Sequence, residues 1–325
     1  MARDTGSLLS FRPSIKVMDA TMRDGGLVNN FRFPDEWVRA LVSANMRAGV
    51  DYMELGYKSD RDLFDENKFG KWKFCRDEDV FNVLGGAPEG LKLACMADVG
   101  RCNYERDIGP RENSPFSMYR IATYINTIPA ALAMAEHCHK MGYETAVNIM
   151  AISKATEKEL SLALDLIGNS PADVIYIVDS YGSIYPEEMR VIAERYLEAG
   201  EKYGKSIGIH AHNNQELAFA NTIECTALGV DYLDATVSGM GRGAGNCRME
   251  LLLGFLKNPK YKLAHMLRFL ESSMPRVREQ GAVWGYDPAY LLTGVLNRHP
   301  SIAIRFIQEG RGDLCEFYNE LLDQE

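Results

Sequence analysis

The feature that most limits what this chain can become is a rhythm. Short apolar runs alternate with helical stretches eight times over about 245 residues. The runs are IKVMDA (15–20), DYMELG (51–56), LKLACMAD (91–98), MYRIATY (118–124), TAVNIMA (145–151), DVIYIVD (173–179), SIGIHAH (206–212) and DYLDATV (231–237). Runs this short and this continuously apolar are what strands buried on both faces look like. Between them, helical spacing predicts helices over 34–48, 128–141, 156–168, 185–203, 215–228 and 247–257, with Asp35 as the first N-cap. Thr156 followed by Glu159 has the spacing of a capping box. Strand–helix alternation implies a parallel sheet with helical crossovers. Eight such units predict a TIM (β/α)8 barrel over residues 13–258. A doubly wound sheet lacks support, because no GxGxxG follows the first run. Beyond 258 the rhythm stops. Residues 259–325 are expected to form a small C-terminal helical extension, packed on the barrel or making a homo-oligomer contact. Its candidate helices are HMLRFLESSM, DPAYLLTGVLN, SIAIRFIQE and DLCEFYNELLDQ.

Composition narrows the partners. A net charge of −9 gives no bulk positive field for nucleic acid or anionic lipid, while leaving room for a local basic pocket. No apolar run approaches the roughly 20 residues of a membrane span. The opening MARDTGSLLSFRPS lacks the apolar core of a signal peptide. Seven cysteines without a CxxC are expected to be reduced thiols in a cytoplasmic protein.

In such a barrel, functional groups gather where strands end and the following loops begin. The seventh run ends in His210-Ala211-His212. Side chains two apart on a strand share a face, so two imidazoles there form half of a divalent-metal site. The first run ends in DATMRDGG (19–26). Asp24 is placed as an oxygen donor, and Arg23, always charged, as a clamp for a carboxylate or enolate oxygen. Gly25 and Gly26 are expected to let the backbone turn tightly beside a ligand. The eighth run leads into SGMGRGAGNCRMELLL (238–253), a glycine-rich loop ahead of a helix that can bring amides to an anion. Asn246 can give its carbonyl oxygen to a metal or cap that helix. Strands 7, 8 and 1 are neighbours in a closed barrel, so Asp24, His210, His212 and Asn246 would line one arc of its mouth. Two nitrogens and two oxygens suit octahedral Mn, Mg, Co or Fe(II), or a catalytic Zn. Glu54, Tyr57, Lys58, Asn148 and Asp179 also stand at or near strand ends and are candidates to meet substrate. Glu54 and Asp179 are equally candidates to orient Arg23 or a ligand histidine. The segment 57–88, containing YKSDRDLFDENKFGKWKF, exceeds what one crossover needs and reads as a lid or as a solvated insertion. The stretch 100–115 reads the same way.

DATMRDGG, HAHN and GMGRGAGN, in this order and spacing, resemble the DRE-TIM metallolyases. This is the HMGL-like, or pyruvate carboxyltransferase, superfamily of metal-dependent lyases. The resemblance covers about 15–258. It implies that Asp24, His210, His212 and Asn246 surround a divalent metal, manganese first and magnesium, cobalt or zinc as alternatives. It further implies that Arg23 stabilises an enolate oxygen. The 4-hydroxy-2-oxovalerate aldolase branch fits best. The strand 8 loop lacks the catalytic-cysteine motif of the methylglutaryl-CoA lyases, so Cys247 reads as packing. RDGG-Leu also differs from the RDGEQ of isopropylmalate synthases. The tail VWGYDPAYLLTG is similar to the aldolases' C-terminal region, where a tyrosine reaches the active site, and Tyr286 stands there. The implied activity is a metal-dependent aldolase acting on a 2-oxo acid. One departure stands out: the branch carries a basic histidine two residues after the RDG glycine, and this chain has Leu27. Tyr57, Tyr286, His299 or a metal-bound water could substitute. Two other readings share the metal site. One is a Claisen-type acyltransferase joining acetyl-CoA to a 2-oxo acid. The other is a non-catalytic metal-binding subunit beside a partner enzyme, as aldolases of this branch work beside an aldehyde dehydrogenase.

Overall fold

The computed structural model describes residues 9–323, so much of the N-terminal segment (residues 1–8) lies outside the described residues. Eight strands form: β1 (Lys16–Asp19), β2 (Tyr52–Tyr57), β3 (Lys92–Asp98), β4 (Met118–Thr123), β5 (Glu144–Ile149), β6 (Val174–Asp179), β7 (Ser206–Ala211) and β8 (Tyr232–Ala235). They are parallel and in sequence order, and β8 pairs with β1 to close a barrel. Each falls on one of the eight apolar runs. The helices are α1 (Thr21–Asn29), α2 (Asp35–Ala48), α3 (Asp77–Leu84), α4 (Tyr104–Asp107), α5 (Ile128–Lys140), α6 (Glu157–Gly168), α7 (Pro186–Tyr203), α8 (Ala218–Leu228) and α9 (Met249–Phe255). After the barrel come α10 (Leu263–Glu279), α11 (Pro288–Val295), α12 (Ser301–Gln308) and α13 (Leu314–Leu322).

Alternation along the strands sorts the residues into two layers. Val17, Leu93, Ile121, Val147, Ile175, Ile207 and Leu233 bury outward under the helices. Met18, Tyr52, Ala94, Met118, Ala146, Val174 and Tyr176 fill the barrel interior toward the strand N-termini. Above that apolar floor the inward positions turn polar: Glu54, Arg120, Asn148, His210 and Asp234 are all buried. That placement costs desolvation unless each group is paired, and so marks where the chain has invested in chemistry.

Two local expectations change. Asp35 is the first helical residue of α2, and its N-cap is the extended Pro34, which has no capping side chain. Gly25 and Gly26 do not make a tight turn; they lie inside α1, which starts directly after β1. Their role there is close packing. A Cβ on Gly26 would enter the Phe31 ring, and one on Gly25 would meet Met240 Cγ at 2.8 Å. The Thr156–Glu159 capping box forms as expected, with Thr156 N–H donating to Glu159 Oε2 at 2.8 Å.

The helices after the barrel divide between two cores. Met266, Phe269, Met274 and Val277 of α10 join the main core, where Phe269 meets the Trp37 ring edge-on at 5.2 Å. Ala289, Ala303, Phe306, Phe317 and Leu321 form a separate cluster among α11–α13. The link between them crosses the strand C-terminal rim. Trp284 Nε1 donates to the Ser238 carbonyl at 2.9 Å, and the Gly285 N–H donates to the Gly243 carbonyl at 3.1 Å. Asn297 Oδ1 accepts from Ser153 and Ser183, at 2.8 and 3.0 Å. Residues 284–297 thus clasp the loops after β5, β6 and β8. No helix among the described residues is long and apolar enough to cross a membrane.

Candidate metal centre

The loop after β8 returns along the end of β7. The Cys247 N–H donates to Ala211 and the Asn213 N–H to Gly245, which sets His212 opposite Asn246. Within the loop the Gly245 N–H donates to the Arg242 carbonyl and the Asn246 N–H to the Gly239 carbonyl, which positions Asn246. Gly241 makes the approach possible, because a Cβ there would run into Asn246 Nδ2 and Asp24 Oδ2. Asp24 and Arg23 enter from the first turn of α1.

Donor atoms of Asp24, His210 and His212 lie within 4.8 Å of one another, and all three residues are buried. Each imidazole is held through Nδ1: His210 by Asp234 Oδ2 at 2.9 Å, His212 by the Asp179 carbonyl at 3.2 Å. These acceptors assign the proton to Nδ1, so both Nε2 lone pairs face the cluster. Burial, ahead of the neighbouring charges, holds His212 down to about 3, so its imidazole is neutral at physiological pH. Burial opposes ionisation of Asp24 too, but Arg23 and then the two imidazoles outweigh it and hold the carboxyl well below the usual range.

A metal fits what these residues leave open. His212 Nε2 and Asn246 Oδ1 are buried without a hydrogen-bond partner among the described residues. Each such orphan costs about 1–3 kcal/mol. Asn246 Nδ2 donates to Asp24 Oδ2 at 2.6 Å, so the amide is oriented by the same carboxylate it would share a metal with. An anionic carboxylate, two neutral imidazoles and an amide oxygen are a donor set for a divalent cation.

A lattice of buried charges holds this arc. Arg23 Nε donates to Glu54 Oε2 at 2.7 Å, Nη1 to Asp24 Oδ1 at 2.8 Å, and Nη2 lies 3.3 Å from His210 Nε2. Arg120 donates to Glu54 Oε2 at 2.8 Å and to Asp234 Oδ2 at 2.5 Å, with its guanidinium 4.2 Å from the centre of the Tyr176 ring. Asp234 then carries His210. Neither Arg120 nor Asp234 stood out in the sequence, though each is buried within an apolar run, MYRIATY and DYLDATV. Arg242, from the strand 8 loop, was also missed. Its Nε is buried and has no partner among the described residues, and its charge helps to depress both His212 and His299.

The other expected residues fall variously. Glu54 grips Arg23 directly. Asp179 serves His212 through its carbonyl, while its carboxyl, pushed up to about 7 by burial, accepts from the amides of Ser183 and Ile184. Asn148 is buried, and its Oδ1 has no partner among the described residues. Tyr57 is buried at the mouth, where burial, opposed by Arg23 and helped by nearby carboxylates, raises its hydroxyl above the ordinary range and keeps it protonated. Lys58 is turned away, bonded to the Cys75 carbonyl at 2.9 Å and Asp77 at 2.8 Å. Tyr286 is 55% exposed at the rim. His299 is half-buried, edge-on to Tyr181, with Nδ1 against the Ser301 hydroxyl at 2.6 Å. Leu27 is 38% exposed on α1. Cys247 is buried, with its thiol pushed up to about 12 by burial, as a packing residue would be. Concavities of about 630 and 570 Å³ open beside the rim-crossing segment and by the loop after β2, and neither is lined by Asp24, His210, His212 or Asn246. Donor chemistry, not cavity size, marks the site.

The family model described as HMGL-like matches residues 14–271. The 4-hydroxy-2-oxovalerate aldolase of Pelotomaculum thermopropionicum is 29% identical over 253 residues, spanning 77% of this chain and 72% of its own. The oxaloacetate decarboxylase of Mycobacterium tuberculosis is 28% identical over 243 residues, 74% of this chain and 69% of its own. Among solved structures, the N-terminal domain of a candidate aldolase from Bacteroides vulgatus superposes with a TM-score of 0.76 at 27% identity. That match covers 90% of this chain and 96% of the other.

Proposed function

The chain belongs to the HMGL-like family, and from that membership we propose that it is a divalent-metal-dependent aldolase that cleaves or forms 4-hydroxy-2-oxo acids. The observation that carries the reading is the buried convergence of Asp24, His210 and His212, with both imidazoles held through Nδ1. Asp24, His210, His212 and Asn246 would hold the metal, with manganese the first choice that the family resemblance implies. When bound, the ion supplies Lewis-acid polarisation of a 2-oxo group.

The chain's own residues do the rest. Arg23 has two of its nitrogens committed to Glu54 and Asp24, which leaves Nη2 beside the donor cluster as a fixed cation for developing oxyanion charge. Because Glu54 is itself tied to Arg120, the guanidinium is oriented before substrate arrives. Arg242, with its unpaired Nε, is the candidate partner for the substrate carboxylate. Tyr57, held protonated, offers a hydroxyl donor on the β2 side.

The test combines metal analysis of the purified protein with pyruvate release from a panel of 4-hydroxy-2-oxo acids and added Mn(II). The expected result is bound metal and pyruvate release, both lost in Asp24→Asn and His212→Ala. Unchanged metal content and activity in those variants would sink the reading. Pyruvate from oxaloacetate alone would move the assignment to a decarboxylase, the activity named for the M. tuberculosis relative.

A further inference from the structure

Four basic groups gather on one sector of the barrel rim, in a chain whose net charge is −9. Arg242 comes from the loop after β8, Lys154 from the turn after β5, and Arg298 and His299 from the link between α11 and α12. Hydrogen bonds and ring contacts place them. Arg242 Nη2 donates to the Ser180 carbonyl at 3.5 Å, one residue on from the Asp179 carbonyl that holds His212. Gly241, before Arg242, lies against Asp24 and Asn246. Arg242 therefore stands next to the donor cluster. Tyr181, the residue after Ser180, meets the His299 ring edge-on at 5.5 Å. Farther out, Asn297 accepts from the Ser153 hydroxyl at 2.8 Å and donates to the Ser153 carbonyl at 3.1 Å. That double tie brings Arg298 and Lys154, the next residue of each segment, to the same junction.

No carboxylate answers this charge. Arg242, Arg298 and Lys154 make no ion pair among the described residues, and the charge acting on Lys154 is Arg298, as that on His299 is Arg242. Burial first, and that cation next, lowers Lys154 and His299. The Nε atoms of Arg242 and Arg298 are both buried without a partner among the described residues. Arg298 has one other tie, from Nη2 to the Leu321 carbonyl at 3.1 Å. The tautomer of His299 follows from its neighbour: the Ser301 N–H can only donate, and it donates to Nδ1 at 3.1 Å. The ring proton therefore sits on Nε2, which has no acceptor among the described residues. The spare groups of this sector are all N–H donors. Donors left without acceptors and cations held beside cations are each unfavourable, and a bound oxyanion relieves both.

We propose that Lys154, Arg298 and His299 bind an oxyanion, a carboxylate or a phosphate ester, carried on the aldehyde half of the substrate. The proposal rests on the aldolase reading above and names its substrate class: a 4-hydroxy-2-oxo acid charged at both ends. Arg242, nearest the donor cluster, takes the C1 carboxylate. The carbon chain then leads outward past Tyr181 to His299, Lys154 and Arg298, where the second anion sits. Specificity for the aldehyde is thus set largely by the C-terminal extension, which supplies two of the three outer groups.

The test is condensation of pyruvate, with Mn(II) added, onto matched aldehydes. Succinic semialdehyde is paired with butanal, and glyceraldehyde 3-phosphate with glyceraldehyde. The readout is the ratio of kcat/KM between the charged and neutral member of each pair. In the wild-type protein one charged member should be favoured by about 10–100-fold, the worth of a charge-assisted hydrogen bond or two. Which pair shows it tells carboxylate from phosphate. The double variant Lys154→Gln, Arg298→Gln should lower that ratio by about tenfold or more, and Arg298→Lys should keep more of it than Arg298→Gln. A wild-type ratio near one in both pairs would overturn the proposal and leave the aldolase reading standing. So would a ratio that the double variant leaves unchanged, which marks the basic groups as structural or merely solvated. Condensation with no aldehyde at all would overturn the aldolase reading, and inorganic phosphate then tests the basic sector by itself. Calorimetry should show phosphate bound about tenfold more weakly by the double variant; equal affinity would overturn the anion site as well.

Discussion

Replacing Asp234 with asparagine should strip the metal centre of its support without touching a ligand. Asp234 is fully buried on β8 and accepts from His210 Nδ1 at 2.9 Å and Arg120 Nη2 at 2.5 Å. Burial opposes its ionisation, but Arg120 and then His210 outweigh that and keep it a carboxylate. Asparagine has the same shape and none of the charge. Two effects follow, of separate size. Losing the carboxylate behind a ligand histidine lowers metal affinity about 10–100-fold, or about 1.4–2.7 kcal/mol. An amide nitrogen turned toward His210 would also push the imidazole proton onto Nε2 and block that ligand. Removing one partner of a buried ion pair costs about 3–5 kcal/mol of stability. The lower end applies here, because Arg120 keeps Glu54 at 2.8 Å. Mn(II) affinity read by calorimetry gives the first effect, and urea unfolding in the presence of a chelator gives the second. Manganese affinity within twofold of wild type would refute the claim that Asp234 holds His210 in its ligating tautomer.

Further outcomes are expected elsewhere. Gly241→Ala drives a methyl group into Asp24 and Asn246 and should cost at least about tenfold in metal affinity, measured by the same titration. Lys73 titrates near 8 when folded and at 10.5 when unfolded, so between those values the unfolded chain binds more protons and stability rises with pH, by roughly 2–3 kcal/mol; chemical denaturation across pH 7–10.5 should show this rise in wild type and not in Lys73→Met. Thr156→Ala removes the α6 capping box and should cost about 1 kcal/mol with activity unchanged. Thiol labelling should modify the exposed Cys315 well before the buried Cys247, whose thiol burial pushes up to about 12.

The barrel was legible because strands buried on both faces leave uninterrupted apolar runs, and each of the eight became a strand. His210 and His212 were legible through the two-residue period of a strand, and Asp24 through the order of the runs around a closed sheet. The charges inside the barrel were not. Arg120 sits in MYRIATY, and one charged residue does not say which face of its strand turns inward. Its meaning appears only with Glu54 and Asp234, 66 and 114 residues away. The helix α1 was missed because two glycines read as a turn. Only the approach of Phe31 and Met240 shows that the missing side chains are what that helix requires. Lys73 was hidden for the same reason: the rings that surround its amine, those of Phe31, Tyr57, Phe64 and Phe69, come from residues spread over 31–69.

The clasp at residues 284–297 has a consequence for the order of assembly. The ribosome delivers Asp24 first, the two histidines long afterwards, and the rim-crossing segment later again. Until Trp284 reaches Ser238 and Gly285 reaches Gly243, the loop that presents Asn246 lacks those two ties. A nascent chain can therefore display three donors before the fourth is secured. An ion held by all four donors would be gripped fully only once residues 284 and 285 have made those ties, which come after the barrel in the chain.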